Sequence, residues 1–377
     1  MKVIFYANTL FQVMVAIQLK RTVYCADDAD IVVTDRTGEK NDFSMRIRDK
    51  KIFHHVYYCN TKEFVAPRNL IKKTVCYLRG NVFPHSVLHQ LDEITGSYDL
   101  FLFHNDNIDS QVLYDRLIKR NREMSCVRFE EGYSIYIPLE NTFTKGNRLR
   151  NFLGKKNLRE VTEAVYVFNP ELLLVKFPYE VRELKKFDKN DKELLEIFND
   201  IFDYHPDTAG TGALLHGPSR CSIKQKYIIF EEAFLTDKED VEDYELIKWI
   251  ADSVGRENVL VKLHPRTEAN RFQSLSIEVE MHKIPWEVMQ MNEDMSGKTL
   301  ISISSGSILA SKLYFDEDVH SLLLYKCLKS KPAKVSVEFE EYLGRFQKLF
   351  DHNLYIPNNV EELESYYIKN EGSQNGR

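Results

Sequence analysis

Residues 2–20, "KVIFYANTLFQVMVAIQLK", decide how the rest of the chain is read. Val3–Ala7 form a short apolar run, the composition of a buried strand; Asn8 and Thr9 interrupt it, and from Leu10 the apolar positions recur at helical spacing. Thr9 stands where a helix N-cap belongs, since its hydroxyl can accept a backbone N–H of the first turn. The result is a strand, a two-residue polar junction and a helix.

The same rhythm continues outward. Strand signals return at "ADIVVTD" (29–35), "IFHHVYYCN" (52–60), "YDLFLFHN" (98–105) and "SCVRFEEG" (125–132), and helical stretches "HSVLHQLDEITG" (85–96) and "DSQVLYDRLIKRNR" (109–122) lie between the last three. Strands alternating with helices predict a parallel sheet wrapped by helices. From about 180 to 222 the chain turns charged and turn-rich, which reads as a linker. A second alternation then begins at "KYIIFEEAF" (226–234) and runs through "NVLVKL" (258–263), "SIEVEM" (276–281), "TLISISS" (299–305) and "HSLLLY" (320–325) to "VEELESYYI" (360–368). The expected fold is α/β, with two Rossmann-like domains. The boundary is placed at 165/166: residues 1–165 form the first domain, and 166–377 the linker and the second. Two such units generally take ligand in the crevice at the carboxyl ends of their strands.

Composition narrows the function. A length of 377 residues with 43% hydrophobic positions suffices for two cores. A formal charge of −6 and a pI near 6.0 give no global field for nucleic acid, so anion binding has to come from local clusters. The six cysteines lack CxxC spacing and read as reduced core thiols. No apolar stretch approaches the roughly 20 residues that span a bilayer, and the N-terminus lacks a small-residue cleavage site. The expected location is the cytoplasm, with peripheral contact at the inner membrane face left open. The basic stretch "TKGNRLRNFLGKKNLR" (144–159) reads as a solvated loop and helix face or, alternatively, as a surface for an anionic lipid-linked acceptor or the membrane. The polar tail "NEGSQNGR" (370–377) is expected to be disordered.

Polar, small or charged residues gather where apolar strands end. In "SISSGS" (302–307), Ser304, Ser305 and Gly306 precede a helix, an arrangement suited to an anion or to a plain serine cap. In "VKLHPR" (261–266), strand alternation puts Lys262 and His264 on one face, and Pro265 ends the strand. A histidine beside a phosphate can serve as proton donor to a leaving group. In "FEEGYS" (129–134), Glu130 and Glu131 precede a glycine, as an acidic turn or as a general base for a hydroxyl. In "IPWEV" (284–288), Glu287 opens a helix, where it favours the dipole or holds ribose hydroxyls.

This ordered set, Glu130-Glu131-Gly132, His264-Pro265 and Ser304-Ser305, resembles the bacterial sialyltransferases of GT-B fold, in which the two domains face each other across a cleft. The nearest resemblance is to the lipooligosaccharide sialyltransferases of glycosyltransferase family 52, with marine, Pasteurella-type and polysialic acid enzymes more distant. The resemblance implies an acceptor-binding first domain and a CMP-binding second domain. It implies a general base at Glu130 or Glu131, with Glu131 favoured, and His264 assisting CMP departure. Lys262, Pro265, Ser304, Ser305 and Gly306 would lie around the phosphate, Glu287 on the ribose, and Asn8, Thr9 and Gln12 on the acceptor. Leu10 stands where the family often carries proline, and the acidic pair is Glu-Glu where Asp is frequent.

The expected reaction is inverting transfer of sialic acid from CMP-sialic acid to a galactose-type sugar on a lipooligosaccharide or capsule glycan, with domain closure on donor binding. No cofactor and no metal are expected. Asp28-Ala29-Asp30 reads as a loop before its strand, not as a metal-holding Asp-x-Asp after one. The alternatives are a hexosyl- or Kdo transferase using UDP-sugar or CMP-Kdo, and a non-catalytic nucleotide-binding scaffold of polysaccharide assembly. Expected partners are a nucleotide-sugar donor and a glycan or glycolipid acceptor, without nucleic acid; homodimerisation is left open.

Overall fold

The computed structural model describes residues 1–37, 42–65, 70–138, 149–204, 223–234, 241, 243–267, 269–350 and 353–372. The chain divides into two compact units: Met1–Phe187 with Glu196–Asp203, and Asp188–Leu195 with Tyr204–Arg377.

The first unit is built on seven parallel strands: β1 (Lys2–Ala7), β2 (Asp28–Thr34), β3 (Val56–Cys59), β4 (Leu100–Phe103), β5 (Ser125–Phe129), β6 (Thr162–Val167) and β7 (Glu180–Glu183). Their order is β3-β2-β1-β4-β5-β6-β7, so the direction of winding reverses between β1 and β4. Tyr6 pairs in register with Phe103 across that reversal. The helix Leu10–Thr22 forms as the sequence predicts, with Thr9 as N-cap and Gln12 closing a capping box. Residues Gln12 to Leu19 are all buried, which accounts for an apolar run with little amphipathic contrast.

The second unit repeats the plan with six parallel strands: β8 (Tyr227–Phe230), β9 (Val259–Lys262), β10 (Glu278–Glu280), β11 (Thr299–Ser302), β12 (His320–Leu323) and β13 (Leu354–Tyr355). The order β10-β9-β8-β11-β12-β13 reverses between β8 and β11. Both units thus have the Rossmann strand order, in which ligands bind outside the carboxyl ends of the strands at the reversal.

Several expectations are corrected. The first unit runs to Phe187, past the boundary expected at 165, because β6 and β7 extend its sheet. The supposed linker contains β7 and the helix Lys192–Phe202; its residues 205–222 lie outside the described residues. "HSVLHQLDEITG" forms two short 3-10 turns, Pro84–Ser86 and His89–Glu93. Asp28-Ala29-Asp30 is the start of β2 rather than a loop, with Asp30 fully buried. Cys59 and Cys126 are buried free thiols as expected, whereas Cys25 is exposed and Cys221 lies outside the described residues. Residues 373–377 of the polar tail are also outside them, while 370–372 end the helix Val360–Gly372. No helix among the described residues is long and apolar enough to cross a membrane.

Candidate active site

In the first unit the polar residues converge on the strand reversal. Asn8 follows β1 and His104 follows β4, and the Asn8 amide Nδ2 lies 3.2 Å from His104 Nε2 and 2.9 Å from Asp109 Oδ2. His104 Nδ1 lies 3.3 Å from the Tyr6 carbonyl. A carbonyl can only accept, so Nδ1 carries the proton and Nε2 accepts from Asn8. Burial holds the imidazole below its ordinary pKa, in keeping with this neutral tautomer. Tyr6 donates to Asp109 Oδ2 at 2.8 Å, and Arg36 Nη1 reaches the same oxygen at 4.0 Å. Two buried acceptors, Asn8 Oδ1 and Asp109 Oδ1, have no hydrogen-bond partner among the described residues. Such atoms are costly to leave dry and suit a ligand's hydroxyl or amide donors.

The acidic pair after β5 divides its work. Glu130 is fully buried: its Oε2 accepts from the Tyr136 hydroxyl at 2.5 Å and from the Phe168 N–H at 2.8 Å, tying the loop to the end of β6. Glu131 is half-buried, with 11% of its side chain exposed, where Glu130 has none. Arg128 Nη2 meets its Oε1 at 3.0 Å and Asn105 Nδ2 its Oε2 at 2.8 Å. Arg128 is itself held by the His104 carbonyl at 2.7 Å. Gly132 adopts φ +117°, open to glycine and strained for other residues, which is why the turn after Glu131 needs it.

Gln12 has a local role: its Oε1 accepts the Asn8 N–H at 2.6 Å and the Thr9 N–H at 3.2 Å, while Thr9 Oγ1 accepts the Gln12 N–H at 3.2 Å. Gln12 is buried and Thr9 exposed. Of the basic stretch 144–159, Arg150 is buried against Asp115 at 2.6 Å and Lys155 approaches the same carboxylate at 3.3 Å. Those two charges are spent inside the unit; residues 144–148 lie outside the described residues.

In the second unit the motif strands β9 and β11 flank β8, and two further glutamates follow β8. Glu231 Oε2 accepts the His264 N–H at 2.9 Å and the Thr267 hydroxyl at 2.9 Å, and Arg271 lies 3.3 Å from Oε1. Burial raises its carboxyl pKa against these contacts. Glu231 therefore anchors the His-Pro turn. His264 Nδ1 accepts the Arg266 N–H at 3.1 Å, so the neutral ring carries its proton on Nε2. Pro265 is exposed at the turn.

Glu232 takes up Ser304. Its Oε1 accepts the Ser304 N–H at 2.5 Å and the Ser302 hydroxyl at 2.9 Å, its Oε2 accepts the Ser304 hydroxyl at 3.0 Å, and Lys334 pairs with Oε2. Ser304 is buried and its donors are committed to a carboxylate, contrary to the simple picture of two phosphate-facing serines. Ser305 is half-buried and caps the turn Gly306–Leu309 by accepting the Ser307 N–H at 3.3 Å. Gly306 is partly exposed beside it. Lys262 is buried and donates to the His282 carbonyl at 3.2 Å, a contact the alternation argument did not anticipate. Burial raises the Glu287 carboxyl pKa, with the Lys262 charge acting in the opposite direction.

The residues missed by sequence reading are Tyr6, His104, Asn105, Asp109 and Arg128 in the first unit, and Glu231, Glu232, Arg271 and Lys334 in the second. A signal existed for some of them: "FHND" (103–106) places polar residues at a strand end as the recognised motifs do, and "FEE" recurs at 129–131 and 230–232. A groove of about 730 Å³ in the first unit, lined by Asp115, Lys119, Lys155 and Glu163 among others, includes none of the motif residues.

Two Rossmann-ordered parallel sheets with polar clusters at their carboxyl edges are the α/β units of the GT-B type of fold. The fold is shared with an alpha/beta-galactoside alpha-2,3-sialyltransferase from the luminous marine bacterium Photobacterium phosphoreum, at TM-score 0.53 and 9% identity over 94% of this chain and 98% of that one. A sialyltransferase from Photobacterium damsela matches at TM-score 0.50 and 12% identity, over 94% and 81%. At such identity the likeness speaks for the fold alone. No curated protein gives a significant match. The family model for alpha-2,8-polysialyltransferase (POLYST) matches residues 3–324, and the chain belongs to that family. It is a sialyltransferase, as expected, and the polysialic acid enzymes of its family are among the more distant resemblances of the motifs.

Proposed function

We propose that the protein transfers sialic acid from CMP-sialic acid to a glycan hydroxyl with inversion and without a metal. The observation that carries this reading is the division of labour in the acidic pair: Glu130 is fully buried and committed to the Phe168 N–H, while the half-buried Glu131 beyond β5 keeps a solvent-reachable edge with both oxygens oriented. In the proposed step Glu131 takes the acceptor hydroxyl proton as that oxygen attacks the anomeric carbon. The bond from that carbon to the phosphate oxygen breaks, its electron pair leaves with CMP, and His264 Nε2–H hydrogen-bonds the departing phosphate. A single displacement inverts the centre. Lys262, Ser305 and Gly306 would lie near the phosphate and Glu287 on the ribose. The first unit would bind acceptor and the second donor. Asn8 would meet the acceptor through its Oδ1, which has no partner among the described residues. Thr9 and Gln12 act behind it by closing the helix start.

For the acceptor, the family description over residues 3–324 favours a terminal sialic acid extended through an alpha-2,8 linkage. The family 52 resemblance instead favours a terminal galactose of a lipooligosaccharide or capsule. The proposed location is the cytoplasm, at or near the inner membrane face. The test is CMP release from CMP-sialic acid with EDTA present, using lactose and an oligosialic acid as acceptors, in the natural protein and His264→Ala. EDTA-resistant release that falls at least a hundredfold in the variant supports the mechanism, and the acceptor that accelerates release identifies the linkage class. Absence of turnover with CMP-sialic acid, together with turnover of a UDP-sugar or CMP-Kdo, overturns the donor assignment.

A further inference from the structure

Away from the motif edge, at the amino ends of β2 and β3, Asp30, His54 and His55 bring one carboxylate oxygen and two ring nitrogens within 4.8 Å of one another. We propose that these three residues bind a divalent transition cation of the zinc type. Imidazole and carboxylate are donors that zinc, nickel and copper accept, and two histidines with one carboxylate form a recurrent three-ligand set completed by solvent.

The geometry is prepared in the backbone. The His54 N–H donates to the Ala29 carbonyl at 2.7 Å and the Ile31 N–H to the His55 carbonyl at 2.9 Å, so both histidines are pinned along the start of β2. Consecutive residues of a regular strand point to opposite faces. Residues 54 and 55 precede β3 in non-strand backbone, and their rings come together with centroids 4.3 Å apart. His55 Nδ1 lies 3.1 Å from Asp30 Oδ1. Two ligand atoms on tetrahedral zinc, each at about 2.05 Å, are separated by about 3.3 Å, so this spacing already approximates a zinc bite.

Outer contacts orient the ligands. Tyr98 donates to Asp30 Oδ2 at 2.5 Å and turns the other oxygen, Oδ1, toward the histidines. Asp28 Oδ1 lies 3.6 Å from His54 Nδ1, so a small movement makes the carboxylate–histidine pairing that directs Nε2 to a metal. The histidine side chains are 63% and 51% exposed, which leaves an entry path, while Asp30 is fully buried. Because β3 is the edge strand of its sheet, a cation here would fasten that edge to β2. The site belongs to stability rather than to the sialyl-transfer chemistry, and the proposal is independent of the one above.

The test uses the full-length protein without a histidine tag, stripped with chelator. Zinc titration by calorimetry and cobalt(II) absorption are compared among the natural protein, His54→Ala, His55→Ala and Tyr98→Phe. Chelator-treated samples are first matched for circular dichroism. Expected are one equivalent of zinc bound, a cobalt visible spectrum, and an upward shift in melting with zinc. Affinity should fall at least tenfold in Tyr98→Phe and further in either histidine variant. His54 is exposed and its replacement leaves the core untouched, so that variant remains informative if His55→Ala folds poorly. No saturable binding, or zinc binding unchanged in His54→Ala, overturns the proposal.

Discussion

Replacing each member of the acidic pair separately tests how the strand end after β5 is used. Glu130→Ala removes the acceptor of two buried donors, the Tyr136 hydroxyl at 2.5 Å and the Phe168 N–H at 2.8 Å. Hydrogen bonds to a charged group contribute about 1.5–3 kcal/mol each, and the stranded donors gain no water in compensation. The expected loss is therefore about 4 kcal/mol. With a urea m-value of about 2 kcal/mol/M, the midpoint of the first unit's transition moves down by about 2 M. Glu131→Gln keeps an oxygen for Arg128 but weakens a largely enclosed ion pair, so its midpoint should move by about 1 M or less, from a cost of about 1–2 kcal/mol. Activity runs the other way: loss of a general base lowers kcat by about 10²- to 10⁴-fold, which Glu131→Gln should show at full folding. Urea titration followed by tyrosine fluorescence and circular dichroism, beside CMP-release kinetics, reads both quantities. If folded, stable Glu130→Gln is inactive while Glu131→Gln turns over normally, the assignment of base and anchor is reversed.

Three further outcomes can be measured on the same preparation. Ser304→Ala should cost about 1–3 kcal/mol in urea titrations, because it removes a buried donor to Glu232, whereas Ser305→Ala should chiefly raise the KM for donor. Burial keeps the folded-state pKa of His104 below its ordinary 6.5, so the unfolded chain binds the proton more readily. The stability this contributes is complete above about pH 6.5 and is lost as pH falls through the lower folded value; His104→Gln should flatten that part of the stability profile measured by urea titration between pH 5 and pH 8. Gly132→Ala should cost about 1–3 kcal/mol by thermal or urea unfolding through backbone strain, since nothing among the described residues lies within 4 Å of the added carbon.

Much of the fold and of the candidate site could be read locally. Apolar runs of four to seven residues broken by small polar residues mark β1, β2, β4, β8, β9 and β11, and Thr9 with Gln12 announces a helix start. The same breaks point to Asn8, Glu131, His264 and Ser305, because side chains that leave an apolar strand at its carboxyl end stand at the edge where Rossmann sheets take ligand. β7 escaped because "EVRE" is mostly exposed and lacks an apolar signal, and "HSVLHQLDEITG" misled because its apolar positions pack as two separate turns instead of one face.

What the sequence determined by itself is therefore the kind and order of elements and the ends at which chemistry sits, since these follow from hydrophobic period and capping over neighbouring residues. Tertiary structure alone decided what each polar group does. Asn8 meets His104 and Asp109 across 96 and 101 residues of chain, Glu130 meets Phe168 across 38, and Glu232 takes the Ser304 donors across 72. Local pattern alone does not tell the adjacent glutamates of one loop apart, and only the family resemblance favours Glu131; burial separates them, because an enclosed carboxylate must find its donors inside the protein, and the strands that supply those donors are brought alongside only by the order of the sheet.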